Sequence, residues 1–346
     1  MQDQRNNTIL LPGFVDLHVH FREPGFSPKE TIATGSAAAL RGGYIAVVTM
    51  PNLCPAPDCL PNLQQQLELI KRDAQLPVFP VGSITVGQKG SGELSRMEEL
   101  APHVCGFSDD GVGVNDSALM REAMQRACAL GKPIIAHCED DTLPPHDPAS
   151  EYKPLARDLE LAAQTGCHLH VCHVSAALSV ELIRQAKRNG VRVTAETAPH
   201  YLVLCDEEVP PGNGNYKMNP PIRGKADQAA LLEGLIDGTI DCIATDHAPH
   251  TAEDKRGGAN GIVGLEVAFP VLYTKLVREG VLTLDQLVNA MAHNPRELLK
   301  GWTNRVFGGS VLWDVETPYV IDPENFATMG RATPFAGWEV YGTCLN

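Results

Sequence analysis

The run Asp16-Leu17-His18-Val19-His20-Phe21-Arg22-Glu23 sets two imidazoles at alternate positions. Alternate residues of a strand share a face, so His18 and His20 can serve one metal ion. Two further imidazoles stand in Ala136-His137-Cys138-Glu139-Asp140 and Val171-Cys172-His173-Val174-Ser175. His173, at a strand end, reads as a ligand. His168 and His170 share a face of the same run and read as ordinary packed or outward-facing histidines. Carboxylates come from Ala244-Thr245-Asp246-His247-Ala248-Pro249-His250 and from Gly106-Phe107-Ser108-Asp109-Asp110-Gly111. A carboxylate beside a metal and its bound water can take a proton and pass it to a leaving group, so Asp246 reads as an acid–base residue. One of Asp109 and Asp110 can bridge two metals, although alone that segment reads as a plain turn. Arg22, two residues past His20, is a fork-shaped carboxylate donor whose ordinary alternative is a surface pair with Glu23. Asn52 and Asn219, on Pro-containing loops, add amides.

Groups so far apart in sequence need a fold that gathers strand ends. Apolar runs at 14–20, 45–50, 78–84, 104–107, 133–137, 168–173, 191–195 and 242–244 read as strands. Helical stretches at 29–41, 63–73, 117–131, 156–165, 176–189 and 226–237 lie between them, several closed by glycine. Eight short strands, most followed by a helix, predict an α/β fold: a (β/α)8 TIM-like barrel of the metal-dependent hydrolase kind. The histidines and aspartates then fall at the carboxyl ends of strands one, four, five, six and eight, on the face where barrel active sites sit. The barrel is expected over 11–300, with 284–293 an extra helix. Segments 1–10 and 301–346 are expected as terminal pieces, the latter of short strands and turns, forming a reduced β extension.

Of 346 residues 43% are hydrophobic, ample for a core, and the formal net charge of −14 repels phosphate backbones, which disfavours a nucleic-acid partner. A local arginine or metal can still admit an anionic substrate. No apolar run reaches the ~20 residues of a membrane span, and the first residues lack a signal-peptide pattern. The ten cysteines form no CxxC pair, which predicts free thiols in the cytoplasm.

The order HxH, Asp, His, His, Asp resembles the amidohydrolase superfamily. The segments Pro12–Gly25, Met50-Pro51-Asn52, His137-Cys138-Glu139-Asp140, Glu196-Thr197-Ala198-Pro199-His200, Asn219-Pro220-Pro221-Ile222-Arg223 and Ala244–His250 resemble the dihydroorotases. The likeness runs over 11–346 and fits their bacterial long-chain type, in which an Asp replaces a carboxylated Lys. It implies Zn2+, one or two per subunit, held by His18, His20, Asp110, His137, His173 and Asp246. Asp110 is the bridging carboxylate by its match to the second Asp of the family's Asp-Asp-Gly, and Asp109 is then a turn residue or one that supports the ligands from behind.

The activity implied is reversible cyclisation of N-carbamoyl-L-aspartate to L-dihydroorotate in pyrimidine synthesis. The metals supply an activated hydroxide and a polarised ring carbonyl, and Asp246 carries the proton to the departing nitrogen. Arg22, Asn52 and His250 hold the substrate carboxylate, and Asn219 meets the ring edge. The implied partners are a small-molecule substrate, a second copy in a homodimer and an aspartate transcarbamoylase. The segment ahead of the first motif, the stretch between His137 and His173 and the C-terminal strand region are shorter than the family pattern, which predicts a reduced β-domain. Two rival readings stand beside this one. A hydantoinase or allantoinase would have a Lys on the fourth strand, and Val104-Cys105-Gly106-Phe107-Ser108 contains none. A non-catalytic scaffold subunit of a pyrimidine-pathway assembly would have lost metal ligands, and all six are present.

Overall fold

The computed structural model describes residues 7–345. Eight parallel strands follow the expected order: Phe14–Val19, Tyr44–Thr49, Val78–Pro80 continued by Gly82–Ser83, Phe107–Ser108, Ile134–Ala136, Leu169–Val171, Val193–Thr197 and Cys242–Ile243. Each pairs with the next in chain order. The last returns to the first through a parallel bridge between Val19 and His247, where His20 N–H donates to the His247 carbonyl at 2.8 Å. The barrel is therefore closed.

Its interior is filled by Val15, Leu17, Ala46, Val48, Phe79, Val81, Ile135 and Cys242, with Leu299 and Trp302 in the same cluster. A larger apolar layer joins the outer strand faces to the helices. The first strand carries a bulge: from Asp16 to Val19 it advances three residues while its neighbour advances two, from Val47 to Thr49. A bulge re-aims side chains. Val15 and Leu17 pack into the interior, and beyond the bulge His18 and His20 still turn toward the barrel mouth.

Two helices differ from expectation. That expected at 156–165 begins earlier, as Ala149–Thr165, and holds Pro154 inside it. Proline has no N–H for the carbonyl four residues back. That carbonyl, on Ser150, instead accepts Asp140 N–H at 2.8 Å and so anchors the loop after His137. The helix expected at 284–293 runs on as Leu284–Val288, a π-turn Asn289–His293 and Asn294–Thr303, reaching Leu299 and Trp302.

Outside the barrel, Thr8–Pro12 and Glu339–Cys344 flank Ser310–Val320 in an antiparallel sheet. The tail was expected as short strands, yet its central strand has 11 residues. Its alternate side chains Val311, Trp313 and Val315 are buried, and Trp313 packs on Phe14 and Phe269 with ring centroids 5.6 and 4.3 Å away. Residues 1–6 of the expected terminal segment 1–10 lie outside the described residues.

Candidate active site

At the carboxyl face His18, His20, Asp110, His137, His173 and Asp246 converge, each under a tenth exposed. Asp110 stands in the middle. Its Oδ1 lies 3.3, 3.6 and 3.5 Å from His18 Nε2, His137 Nδ1 and His173 Nε2, and its Oδ2 lies 3.5 Å from His20 Nε2. Asp246 Oδ1 approaches His20 Nε2 to 3.0 Å and His18 Nε2 to 3.6 Å, and His137 Nδ1 faces His173 Nε2 at 2.8 Å. The buried atoms His18 Nε2 and Asp110 Oδ1 have no hydrogen-bond partner. Donor atoms of His18, Asp110 and His173, and again of His18, His20 and Asp246, lie within 4.8 Å of one another. Imidazole and carboxylate donors gathered in this way fit divalent metal ions.

The backbone supports the convergence at a cost. Arg22, His173 and Asp246 adopt φ values of +59°, +33° and +48°, three of only five non-glycine residues with positive φ among those described. Such conformations cost on the order of 1–3 kcal/mol and persist where the surroundings over-determine them. For Asp246 the surroundings include Asp16, whose buried carboxylate accepts from His18 N and Thr245 N at 3.1 Å each and so joins the first strand to the eighth. For His173 they include Glu151, which accepts from Ser175 N and Ala176 N at 3.2 and 3.1 Å.

Five of the six, all but His18, line a cavity of about 220 Å3 together with Arg22, Asn52, Asn219, His250, Asn260 and Gly261. Arg22 is 8% exposed; its Nε donates to the Pro249 carbonyl at 3.3 Å and its Nη2 lies 3.3 Å from His250 Nε2. Glu23, the alternative partner, bonds Ser27 Oγ and Ile32 N instead. Among the described residues no carboxylate pairs with this guanidinium.

The comparisons decide the family. A family model described as dihydro-orotase-like matches residues 7–150. The dihydroorotase of Anoxybacillus flavithermus is 47% identical over 364 residues, covering 96% of this chain and 84% of that one. That of Bacillus caldolyticus is 48% identical over 361 residues, with the same coverage. The chain belongs to the dihydroorotase family. In three dimensions it is similar to an L-hydantoinase (dihydropyrimidinase) from Arthrobacter aurescens, with a TM-score of 0.85 at 25% identity over 98% of this chain and 83% of that one. Dihydroorotase and hydantoinase thus share the barrel, while the closer sequence likeness is to dihydroorotases.

This member of the dihydroorotase family also surrounds the site with partners that sequence reasoning did not assign. His18 Nδ1 meets Glu196 at 2.7 Å, His137 Nε2 meets Glu139 at 2.8 Å, and His20 Nδ1 meets Asn52 Oδ1 at 2.8 Å. Glu139 also accepts the Asn219 amide at 2.9 Å. Glu139 and Glu196 stand inside motifs already quoted, so their positions were visible although their targets were not. Asp109 turns away from the cluster and accepts from Ile84 N, Thr85 N and Gly90 N, so it ties its strand end to the neighbouring one and does not close a local turn. His170 is buried rather than outward-facing and meets Glu196 at 3.1 Å.

The charges sort accordingly. Burial presses the His18 imidazolium down, yet Asp110 beside it holds it well above the ordinary range. Burial likewise opposes the ionised forms of Asp110 and Asp246, but the surrounding histidines hold both below the usual carboxylate range. Burial, with Arg22 and Lys29 nearby, lowers His250 to about 3, so it is neutral. These carboxylates are ionised at neutral pH, the state that metal binding requires.

Proposed function

We propose that this chain catalyses the reversible cyclisation of N-carbamoyl-L-aspartate to L-dihydroorotate. The observation that carries the reading is the buried guanidinium of Arg22, without a carboxylate partner among the described residues, in the cavity that five of the six cluster residues line. A neutral cyclic amide has no use for that charge, whereas a carboxylated ring needs it. His18, His20, Asp110, His137, His173 and Asp246 would hold up to two Zn2+ ions, which when bound supply Lewis acidity and water of lowered pKa. Asp110, central among four imidazole nitrogens, fits the bridging anion that two adjacent dications require.

In the hydrolytic direction Arg22 and His250 seat the ring carboxylate, with the free amide nitrogen of Asn52 beside them. Their hold orients the ring so that its amide carbon faces Asp246 and the cluster. Asp246 receives the proton of the attacking water and delivers it to the ring nitrogen as the C–N bond breaks. Asn219, fixed by Glu139, meets the ring edge.

The barrel over 11–300 carries this chemistry, and the terminal sheet serves as a reduced β-domain. A cytoplasmic setting belongs to the same reading. No helix among the described residues is long and apolar enough to cross a membrane. A homodimer that associates with an aspartate transcarbamoylase completes the reading, and light scattering with and without that enzyme tests it. The main test is metal content together with dihydroorotate hydrolysis. A chain that binds zinc and opens dihydroorotate supports the reading, and one that opens only uncharged hydantoins overturns it. Bicarbonate alone should not reactivate a CO2-depleted sample, since no carboxylated Lys is involved.

A further inference from the structure

Below the ligand cluster, inside the barrel, lies a line of polar side chains that the reaction does not use. Glu196, 1% exposed, places Oε1 2.7 Å from His18 Nδ1 and Oε2 3.1 Å from His170 Nε2. His170 Nδ1 lies 2.8 Å from Thr194 Oγ1, which lies 2.9 Å from His168 Nε2. The edge of Trp302 covers His170, with ring centroids 5.0 Å apart. Unlike Asn52 and Glu139, which serve His20 and His137 at the cavity, Glu196 is sealed from solvent, so water cannot replace its bonds.

Hydrogen-bond arithmetic orders this line. A carboxylate only accepts, so both imidazoles must donate to Glu196: His18 through Nδ1–H and His170 through Nε2–H. With its Nε2 proton on Glu196, His170 accepts at Nδ1 from the Thr194 hydroxyl, whose oxygen accepts His168 Nε2–H. The consequence at the top of the line is that, with Nδ1–H held by Glu196, the nitrogen His18 can offer a metal is Nε2, the unpartnered atom facing Asp110 and Asp246. We propose that Glu196, backed by His170 and Thr194, is the positioning group that fixes His18 as a metal ligand through Nε2. The inference rests on the metal-site reading above. It explains why a carboxylate and a further histidine are buried where no substrate reaches, since a carboxylate behind a ligating imidazole sets its tautomer, its orientation and its basicity.

The test uses the full chain with Zn2+ and Co2+ as probes. In Glu196→Gln the side chain offers one acceptor and one donor group where two imidazole N–H groups converge, so one imidazole must change tautomer. Zinc affinity should fall roughly 10- to 100-fold, and the visible bands of the Co2+-loaded protein should change. Added zinc should restore much of kcat, while KM for dihydroorotate at saturating zinc stays as in wild type. Wild-type zinc affinity and an unaltered Co2+ spectrum in Glu196→Gln overturn the inference while leaving the metal site intact. A wild-type chain that takes up no zinc overturns both. If Glu196→Gln does not fold, Thr194→Val decides: a smaller loss of affinity, roughly two- to tenfold, is expected, and unchanged affinity overturns the proposal. Cys242 lies near enough to His170 and Glu196 to complete a donor triad of its own. A third bound zinc that Cys242→Ser abolishes would make Glu196 a ligand and overturn the proposal as well.

Discussion

At the scale of single residues, the proposed function divides the chemistry between Asp246 and Arg22. Asp246→Asn retains an oxygen ligand near His20 but cannot hold a proton in transit. Turnover on dihydroorotate should fall roughly 10²-fold or more while much of the bound metal stays. Near wild-type turnover in a metal-loaded Asp246→Asn protein removes the assigned role. Arg22 is a matter of recognition. Losing a buried charge-assisted contact costs about 2–5 kcal/mol, so Arg22→Met should weaken binding and catalysis of the charged ring while sparing neutral dihydropyrimidines. Equal losses on both substrates would mean that Arg22 supports the fold and does not read the carboxylate. Five of the six cluster residues were legible in sequence because imidazoles and carboxylates at strand ends have few other reasons to be there, whereas only the family resemblance separated Asp110 from Asp109. Glu139 and Glu196 were not, because the partner of a histidine's far nitrogen depends on which neighbouring strand or loop faces it. Nothing in local spacing records that.

At the scale of elements, the strand order and the strand ends followed from apolar periodicity, and with them the face on which the site had to lie. Other features depended on contacts out of reach of periodicity. Pro154 reads as a helix breaker, yet it lies inside Ala149–Thr165 because the Ser150 carbonyl it leaves free is taken by Asp140. The 11-residue strand Ser310–Val320 exists because Thr8–Pro12 pairs along one side of it. The junction of the first and eighth strands gives a prediction at this scale. Asp16 accepts buried N–H groups from both. In Asp16→Ala these donors lose their acceptor, at about 1–3 kcal/mol each, and the left-handed backbone of Asp246 loses its support. The melting temperature should drop, with kcat falling more than KM rises, because Asp246 moves while the Arg22 pocket does not. Asp16→Asn, whose oxygen can take the same bonds, should keep most of both. An Asp16→Ala enzyme with unchanged kcat would show that the junction does not position Asp246.

For the whole molecule, the net charge of −14 and the proposed anionic substrate are reconciled locally, since Arg22 lies at the cavity with no carboxylate partner among the described residues. The same concentration of charge links metal binding to stability. Ions bound only by the folded chain stabilise it by about 2.7 kcal/mol at a hundredfold excess over Kd, so chelation should lower the melting temperature and zinc should restore it. The pH dependence has a definite sign. Burial opposes the charged form of His137, but Asp110 and Glu139 outweigh it and raise the group to about 9. After chelation, the protonated imidazole therefore adds stability below its unfolded value near 6.5, and this contribution is lost as pH rises through 9. Zinc needs the neutral ring and competes with that proton. The zinc-induced rise in melting temperature should consequently grow between pH 6.5 and 9, measured at fixed free zinc. A rise that stays flat or shrinks over that interval would mean that His137 is not displaced from its proton by the metal, and would remove it from the ligand set.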